Sequence, residues 1–450
     1  MRQGTEFGGS ITADRKELEN ELGPLQEALD NLPDKPDRSA GQQQTAGDHL
    51  SAARKLRRRF MRCHADAVYE ELTDGGTRSP RLTELARLAS ERFPQLVPDP
   101  PRLKQDAAGL QRHKDGLEID LGIFYAELLR HPRSGSHLVR SMTEPVPEAL
   151  LRMGEFHSTG TVDLGPVAVH RDGSIGVVTF QNRRFINAED NDTATALEIA
   201  VDLVLLDDSI EVGILRGAVM DHPKWAGQRI FGAGINLSAL YEGGISLVDF
   251  FLNRELGALH KIFRGHPLDD ETDDLSERRE KPWISVIDNF AIGGGCQMLL
   301  VTDRVVADET SYFNLPAGRE GIVPGCGVLR LPRFLGEGLS RQTIFGSRDI
   351  ASDSPEGRLL VSDIAPGGEA LDAAVQRAAD DFLACGAVGV RANRRALRVG
   401  CEPLDTFRRY MAAYALDQAV CIHSKEVIAN LERTWGDKLV ARTATKGTPS

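Results

Sequence analysis

Two glycine-rich turns are the first places in this sequence where chemistry could sit. They are Phe231-Gly232-Ala233-Gly234-Ile235-Asn236-Leu237 and Ala291-Ile292-Gly293-Gly294-Gly295-Cys296-Gln297. Each follows a strand-like run and opens toward a helical one. Glycine lets backbone approach a ligand closely, and a helix start presents N–H groups with no intrahelical acceptor. Two such groups aimed at one point make an oxyanion hole, which stabilises charge on a carbonyl oxygen. Either turn alone is equally explained by tight packing; the pair, with its spacing and flanks, points to a site. Local metal or phosphate motifs are missing. The cysteines are scattered without a CxxC pair, Cys63-His64 has no partner pair at zinc spacing, and neither HExxH nor GxxxxGK[ST] occurs. No metal is expected.

The elements that position these turns come from the rest of the chain. Its 450 residues are enough for two or three domains, and 41% hydrophobic and 27% charged residues suit a core-forming globular protein. A net charge of −12 argues against wholesale nucleic-acid binding. No apolar run reaches the roughly 20 residues of a membrane span, and MRQGTEFGGS lacks signal-peptide character, so a cytoplasmic location is expected.

Residues 1–155 read as helical. A polar arm carries one weak helix from Lys16 to Leu32, and a strong helix follows a cap at Asp48. That helix carries Arg54, Lys55, Arg57, Arg58, Arg59 and Arg62 on one face, read as solvated charge, intersubunit pairing or an anion patch. Leu82–Phe93 and Leu117–Leu129 read as helices around a proline-rich turn, Val97–Pro101. From 156 to 370, short β-branched runs (Val162–Leu164, Val167–His170, Ile175–Phe180, Val212–Leu215, Trp283–Asp288, Arg304–Ala307) alternate with helices, including Asp192–Leu206, Leu247–Phe263 and Cys296–Val301. This is an α/β pattern. The acidic segment His266–Lys281 reads as a surface loop or mobile insert, residues 371–450 as helical to Trp435, and the last residues as disordered.

Five segments in order resemble the enoyl-CoA hydratase/isomerase (crotonase) superfamily. Asn182-Arg183-Arg184-Phe185-Ile186-Asn187-Ala188 is similar to its NRPxxxNA segment, and FGAGINL and AIGGGCQ to its two oxyanion loops. Asn314-Leu315-Pro316 through Ile322-Val323-Pro324-Gly325 and Phe345-Gly346-Ser347 through Pro366 are similar to two later stretches. The resemblance implies a crotonase-like core of repeated ββα-type turns, an acyl-CoA substrate, a homotrimer or dimer of trimers, and an oxyanion hole from the backbone N–H groups of Ile235 and Gly294. Arg183 and Arg184 would meet CoA phosphates, although surface charge explains them equally.

The departures are informative. The two glutamates that handle water's proton in typical hydratases fall at Gln297 and Ala317, and Asn236 replaces the usual Asp. Gln and Ala cannot shuttle a proton, so ordinary hydration through this pair cannot operate. One branch fits the departures and the long helical extension: dioxygenases of antibiotic biosynthesis that act on an arylacetyl-CoA thioester without metal or flavin. That resemblance implies no cofactor beyond the CoA carried by the substrate, with O₂ as co-substrate. It places ring-hydroxyl recognition on Glu189, Arg254 and Gln297, and a dry oxygen pocket at Leu237, Ala317 and Ile322. Each polar residue also has a purely structural explanation. Glu189 could cap a helix, Arg254 could pair with Glu189 or Glu255, and Gln297 could be a packing amide. Cys296 and Cys326 are expected to be buried and inert. The competing functions are an isomerase or thioesterase using Glu189 or Glu320 as base, and a catalytically silent acyl-CoA-binding protein.

Overall fold

The computed structural model describes residues 7–436, and these form two compact units. One holds residues up to Ser141, the segment Ser238–Val248 and the chain from Phe407; the other holds Met142–Leu237 and Asp249–Thr406. The division therefore falls elsewhere than at residues 155 and 370. The expected disorder of the last residues lies outside the described ones. No helix among the described residues is long and apolar enough to cross a membrane.

The second unit carries the sheets. Its strands are β1 (Thr161–Asp163), β2 (Val167–Asp172), β3 (Ile175–Phe180), β4 (Val212–Gly217), β5 (Gly232–Ala233), β6 (His266–Pro267), β7 (Arg278–Arg279), β8 (Trp283–Ile287), β9 (Phe290–Ile292), β10 (Arg304–Asp308), β11 (Tyr312–Asn314), β12 (Ile350–Ala351) and β13 (Asp363–Ala365). A seven-stranded sheet runs β1-β2-β3-β4-β8-β10-β13, antiparallel through β3 and parallel from there on. A second sheet runs β12-β11-β9-β5. Three times the chain leaves the large sheet, adds a strand to the small one and enters a helix: β4 to β5, β8 to β9 and β10 to β11. These are the expected repeated ββα turns.

Parallel interior strands are covered on both faces, so they read as continuous apolar runs. All five residues of β8, Trp-Ile-Ser-Val-Ile, are buried. Trp283 needs a gap in the neighbouring strand, and Gly213 supplies it: a methyl there would overlap the indole. The helix Asn191–Leu206 contributes Leu197, Val201 and Val204 to the core on one face of the sheet. Helix Glu369–Cys385 packs Leu371, Ala374 and Ala378 on the other. The segment 266–281 is more fixed than an insert. β6 and β7 pair as a hairpin, Ser276 and Arg278 are buried, and Arg264 pairs with Asp274 at 2.7 Å.

In the first unit the long helix starts at Ala40, not after Asp48. Ser39 and Gln42 form a capping box, which sets the cap nine residues before Asp48. The proline-rich turn is instead a helix start: Asp99 caps Pro100–Ala107, with proline in the first turn, where its missing N–H costs nothing. Much of the basic face is paired within this unit, although only Arg57 is buried and Lys55 and Arg62 stay exposed. Arg57 donates to Asp120 at 2.8 Å and to the Gln95 carbonyl, Arg58 and Arg62 reach Glu127, and Arg54 reaches the Gly116 carbonyl.

Candidate functional site

The two glycine turns meet. Methyl groups on Gly232 and Gly293 would lie 3.3 Å from the Gly295 Cα and 3.1 Å from the Gly234 Cα, so side chains there would press the two loops apart. Gly234 and Gly293 have φ of +82° and +55°, conformations that other residues rarely adopt. The first loop is held from outside by Glu189. Its N–H donates to the Gly234 carbonyl and its carbonyl accepts from the Asn236 N–H, both at 2.7 Å. That bridge uses the peptide groups flanking Ile235 and leaves the Ile235 amide aside. Gly294 opens the helix Gly294–Leu299, where the first amides lack intrahelical acceptors. Neither the Ile235 nor the Gly294 N–H has an acceptor among the described residues.

The approach to these loops is fixed by the asparagine-rich segment before them. Asn187, at φ +56°, donates its side-chain amide to the Phe180 carbonyl at 3.0 Å and the Ile230 carbonyl at 2.7 Å. It thereby ties the end of β3 to the entrance of β5. Asp190 then caps the helix Asn191–Leu206, so the cap belongs to Asp190 and not to Glu189.

The three polar side chains expected at the site are joined by direct hydrogen bonds. Arg254 donates from Nε to Glu189 Oε2 at 2.6 Å and from Nη2 to Glu189 Oε1 at 3.2 Å. Its Nη1 donates to Gln297 Oε1 and to Glu255 Oε1, each at 2.8 Å, and Nη2 also donates to the Gly294 carbonyl at 2.8 Å. A guanidinium has five N–H donors, and these five bonds occupy all of them. Every donor of Arg254 is thus directed at a protein acceptor. Gln297 is oriented by this contact: with Oε1 accepting from Arg254, the Nε2 donors face away and meet no acceptor among the described residues. A methyl on Gly294 would overlap Glu189 Oε1 and lie 3.0 Å from Arg254 Nη2, so the ion pair rests directly against the second loop.

Glu189 is 2% exposed. Burial raises its carboxyl above the usual range; Arg254 pulls it down, but the charges of Glu255 and Asp190 push the same way as burial. A buried carboxylate held this way takes up a proton more readily than a free one.

Arg254 stands on a helical run that is π-wound from Leu247 to Leu252 and from Arg254 to Ala258, then α-helical to Arg264. Such windings are frequent at functional sites. The sequence predicts a helix over 247–263, but π and α winding share too similar an apolar pattern to be told apart there.

The proposed oxygen-pocket residues are placed in part together. Ala317 is buried at the start of the short helix Ala317–Glu320, and the Ile322 N–H donates to its carbonyl at 3.1 Å. Leu237 follows the first loop, and it and Ile322 are half-buried. Burial alone pushes the Glu320 carboxyl up to about 7. Arg183 and Arg184 lie in an exposed turn and form no ion pair with the described residues; Arg184 stacks 5.0 Å over Phe185. Both candidate thiols are buried, with Cys296 pushed up to about 12 and Cys326 well above its usual value, so neither is a ready nucleophile. No group of three or more metal-ligating side chains occurs among the described residues. Sequence reasoning gave Glu255 only as a pairing option for Arg254. It is 1% exposed at the centre of the network, and nothing in an Arg-Glu dipeptide marks it out.

Comparison with known proteins agrees with this geometry. The enoyl-CoA hydratase/isomerase family profile matches residues 170–383. The (3,5-dihydroxyphenyl)acetyl-CoA 1,2-dioxygenase of Amycolatopsis orientalis is 43% identical over 418 residues, 93% of this chain and 95% of that protein. A short-chain-enoyl-CoA hydratase of Clostridium acetobutylicum is 27% identical over 54% of this chain and 86% of its own. Among solved structures, Pseudomonas aeruginosa OdaA superposes with a TM-score of 0.50 at 18% identity, covering 60% of this chain and 98% of its own, which speaks to the fold alone. This chain belongs to the enoyl-CoA hydratase/isomerase family, on the branch that includes the (3,5-dihydroxyphenyl)acetyl-CoA 1,2-dioxygenase.

Proposed function

We propose that the protein is a dioxygenase converting (3,5-dihydroxyphenyl)acetyl-CoA and O₂ to 3,5-dihydroxyphenylglyoxylate and free CoA, without metal or flavin. The observation that carries this is the pairing of two open amides with the Glu189–Arg254–Gln297 network, in a site with no carboxylate at 297 or 317. The near full-length identity to a dioxygenase supports the substrate.

The thioester oxygen accepts from the Ile235 and Gly294 N–H groups, which lowers the energy of the enolate formed when Cα loses a proton. Glu189 takes the proton of a ring hydroxyl, and the Nε2 of Gln297, aimed by Arg254, donates to the ring oxygens. The electron-rich carbanion passes one electron to O₂, and radical recombination forms a Cα-peroxide. That peroxide attacks the thioester carbonyl, expels CoA as the thiol, and collapses with O–O cleavage and loss of the remaining Cα hydrogen to the α-keto acid. Both oxygen atoms enter the product. Ala317, with Leu237 and Ile322, walls the space for O₂. Replacing a hydratase carboxylate by Ala makes that room and removes an activator of water. Arg183 and Arg184 meet the CoA phosphates, and the assembly is a homotrimer or a dimer of trimers.

Mixing enzyme and thioester without oxygen should release no product, and admitting O₂ should release keto acid and CoA together. CoA release without O₂ would favour the second reading, an isomerase or thioesterase, for which the half-buried Glu320 with its raised carboxyl would serve as base. Activity should survive exhaustive chelation; loss on chelation with recovery on adding iron would overturn the metal-free step.

A further inference from the structure

Glu255 is a buried charge to which the reaction above gives no task. It follows Arg254 on the π-wound run, and its two oxygens serve two elements. Oε1 accepts from Arg254 Nη1 at 2.8 Å, and Oε2 accepts from the Cys326 N–H at 3.1 Å, where the helix Gly327–Gly346 begins. A helix N-terminus favours an anion. The turn closes tightly over this carboxylate: a methyl on Gly325 would overlap Glu255 Oε1 and lie 2.6 Å from Gln297 Oε1.

Arg254 thus lies between two carboxylates and can neutralise only one charge. The two are unequally held. The Glu255 carboxylate has Arg254, a backbone amide and a helix end; the Glu189 carboxylate receives hydrogen bonds only from Arg254 among the described residues. Other charges face the cluster from each packed element. Asp190 adjoins Glu189 and takes the Asn236 side chain at 3.3 Å. Arg330 lies on the helix beyond Cys326, but Glu402 holds it at 2.9 and 3.0 Å. Gln297 and the Gly294 carbonyl complete the surroundings without a charge.

We propose that Glu255 is a positioning residue. It draws one arm of Arg254 away and fixes the guanidinium plane, so that Nε and Nη2 hold Glu189 against the second loop while Glu189 remains the carboxylate that takes the ring-hydroxyl proton. In that step the phenol O–H bond breaks, a carboxylic O–H forms on Glu189, and the electron pair stays on the phenolate oxygen. This rests on the dioxygenase reading above.

The test compares Glu255→Gln and Glu255→Asp with the parent enzyme. Removing the like charge lets Glu189 release its proton more easily, so the acid limb of the kcat/KM profile should move to lower pH by about one unit in the Gln variant. The Asp variant, which keeps the charge but withdraws it from Arg254, should shift the limb the same way by less, and it serves alone if the Gln variant cannot be purified. Infrared difference spectra of ligand-free protein against Glu189→Gln, in each Glu255 background, should show the Glu189 carboxyl band titrating at correspondingly lower pH. Rates that fall equally at every pH, with limb and band unmoved, would make Glu255 a structural residue only and overturn the proposal. A parent enzyme that consumes no O₂ would sink the functional reading instead, and the infrared titration would still decide whether Glu255 acts on Glu189.

Discussion

Two buried clusters on the same stretch of chain use one cation for two carboxylates, and they end in opposite states. At residues 254 and 255, Arg254 serves Glu189 and Glu255. Shortly after, Lys261 serves Glu198 and Asp202, each at 2.8 Å. The difference lies in the extra donors. Asp202 also accepts from the Val146 N–H at 2.7 Å and pairs with His266 at 2.8 Å. Burial raises the Asp202 carboxyl, but Lys261 and His266 outweigh it and hold it below the usual range. Glu189 has no such supplement and is held above that range. A buried carboxylate given several donors is held ionised and braces the core around it. One left short of donors keeps a group that can exchange a proton, and such groups gather at functional sites.

The largest expected effect separates the two clusters by stability. Lys261→Met leaves Glu198 and Asp202 facing each other without a cation, and should cost about 3–5 kcal/mol in denaturant unfolding. Glu189→Gln should behave in the opposite way. Arg254 and Glu255 remain as a neutral pair, so unfolding should change by less than about 2 kcal/mol. Loss of the proton acceptor should lower kcat/KM for the dihydroxy thioester by about 10²-fold. If both substitutions cost similar stability and the second left turnover intact, the contrast between structural and functional cluster would fail.

The sequence makes the oxyanion loops legible because close backbone approach demands a residue type, and Gly232, Gly234 and Gly293 announce it. It makes the sheet legible for a similar reason: buried parallel strands such as Trp283–Ile287 are apolar throughout. Long-range pairing leaves no such trace. The basic face of the first long helix looks solvated because its partners, Asp120 and Glu127, lie some sixty residues on. The Ser39 capping box is hidden in a polar run that resembles an arm. Glu189, Arg254 and Gln297 come from family resemblance, and their mutual contacts, with Arg254 turned toward protein acceptors, belong to the fold. Glu255 is ordinary in sequence and is defined only by what the tertiary structure sets around it.

A smaller effect tests the apolar side of the site. Ala317 is 3% exposed, so a larger side chain has no solvent to enter. Ala317→Leu should reduce oxygenation by about tenfold, through lost O₂ access and overpacking of order 1–3 kcal/mol, while binding of the CoA thioester measured by calorimetry stays within about twofold. Equal loss of binding and turnover would show that Ala317 supports the fold and does not wall an oxygen site.

The mildest test is pH alone, since it needs no substitution. The Asp202 carboxyl is depressed in the folded state, so its stabilising contribution is fully present above the unfolded value near 4 and is lost as pH falls through the lower folded value. His266 is shifted down by burial and stays neutral further into acid than a free histidine. Glu189 is raised, so its proton-accepting form disappears as pH falls through a value above the usual carboxylate range. As pH falls from neutrality toward the usual carboxylate range, turnover should therefore fall while the Asp202 carboxyl is still ionised and the melting temperature moves little. Glu189→Gln should lose the acid limb of the rate and keep the melting profile. If melting temperature and rate fell together across that window, one titration would govern both, and the two clusters could not be divided into one that holds the fold and one that moves a proton.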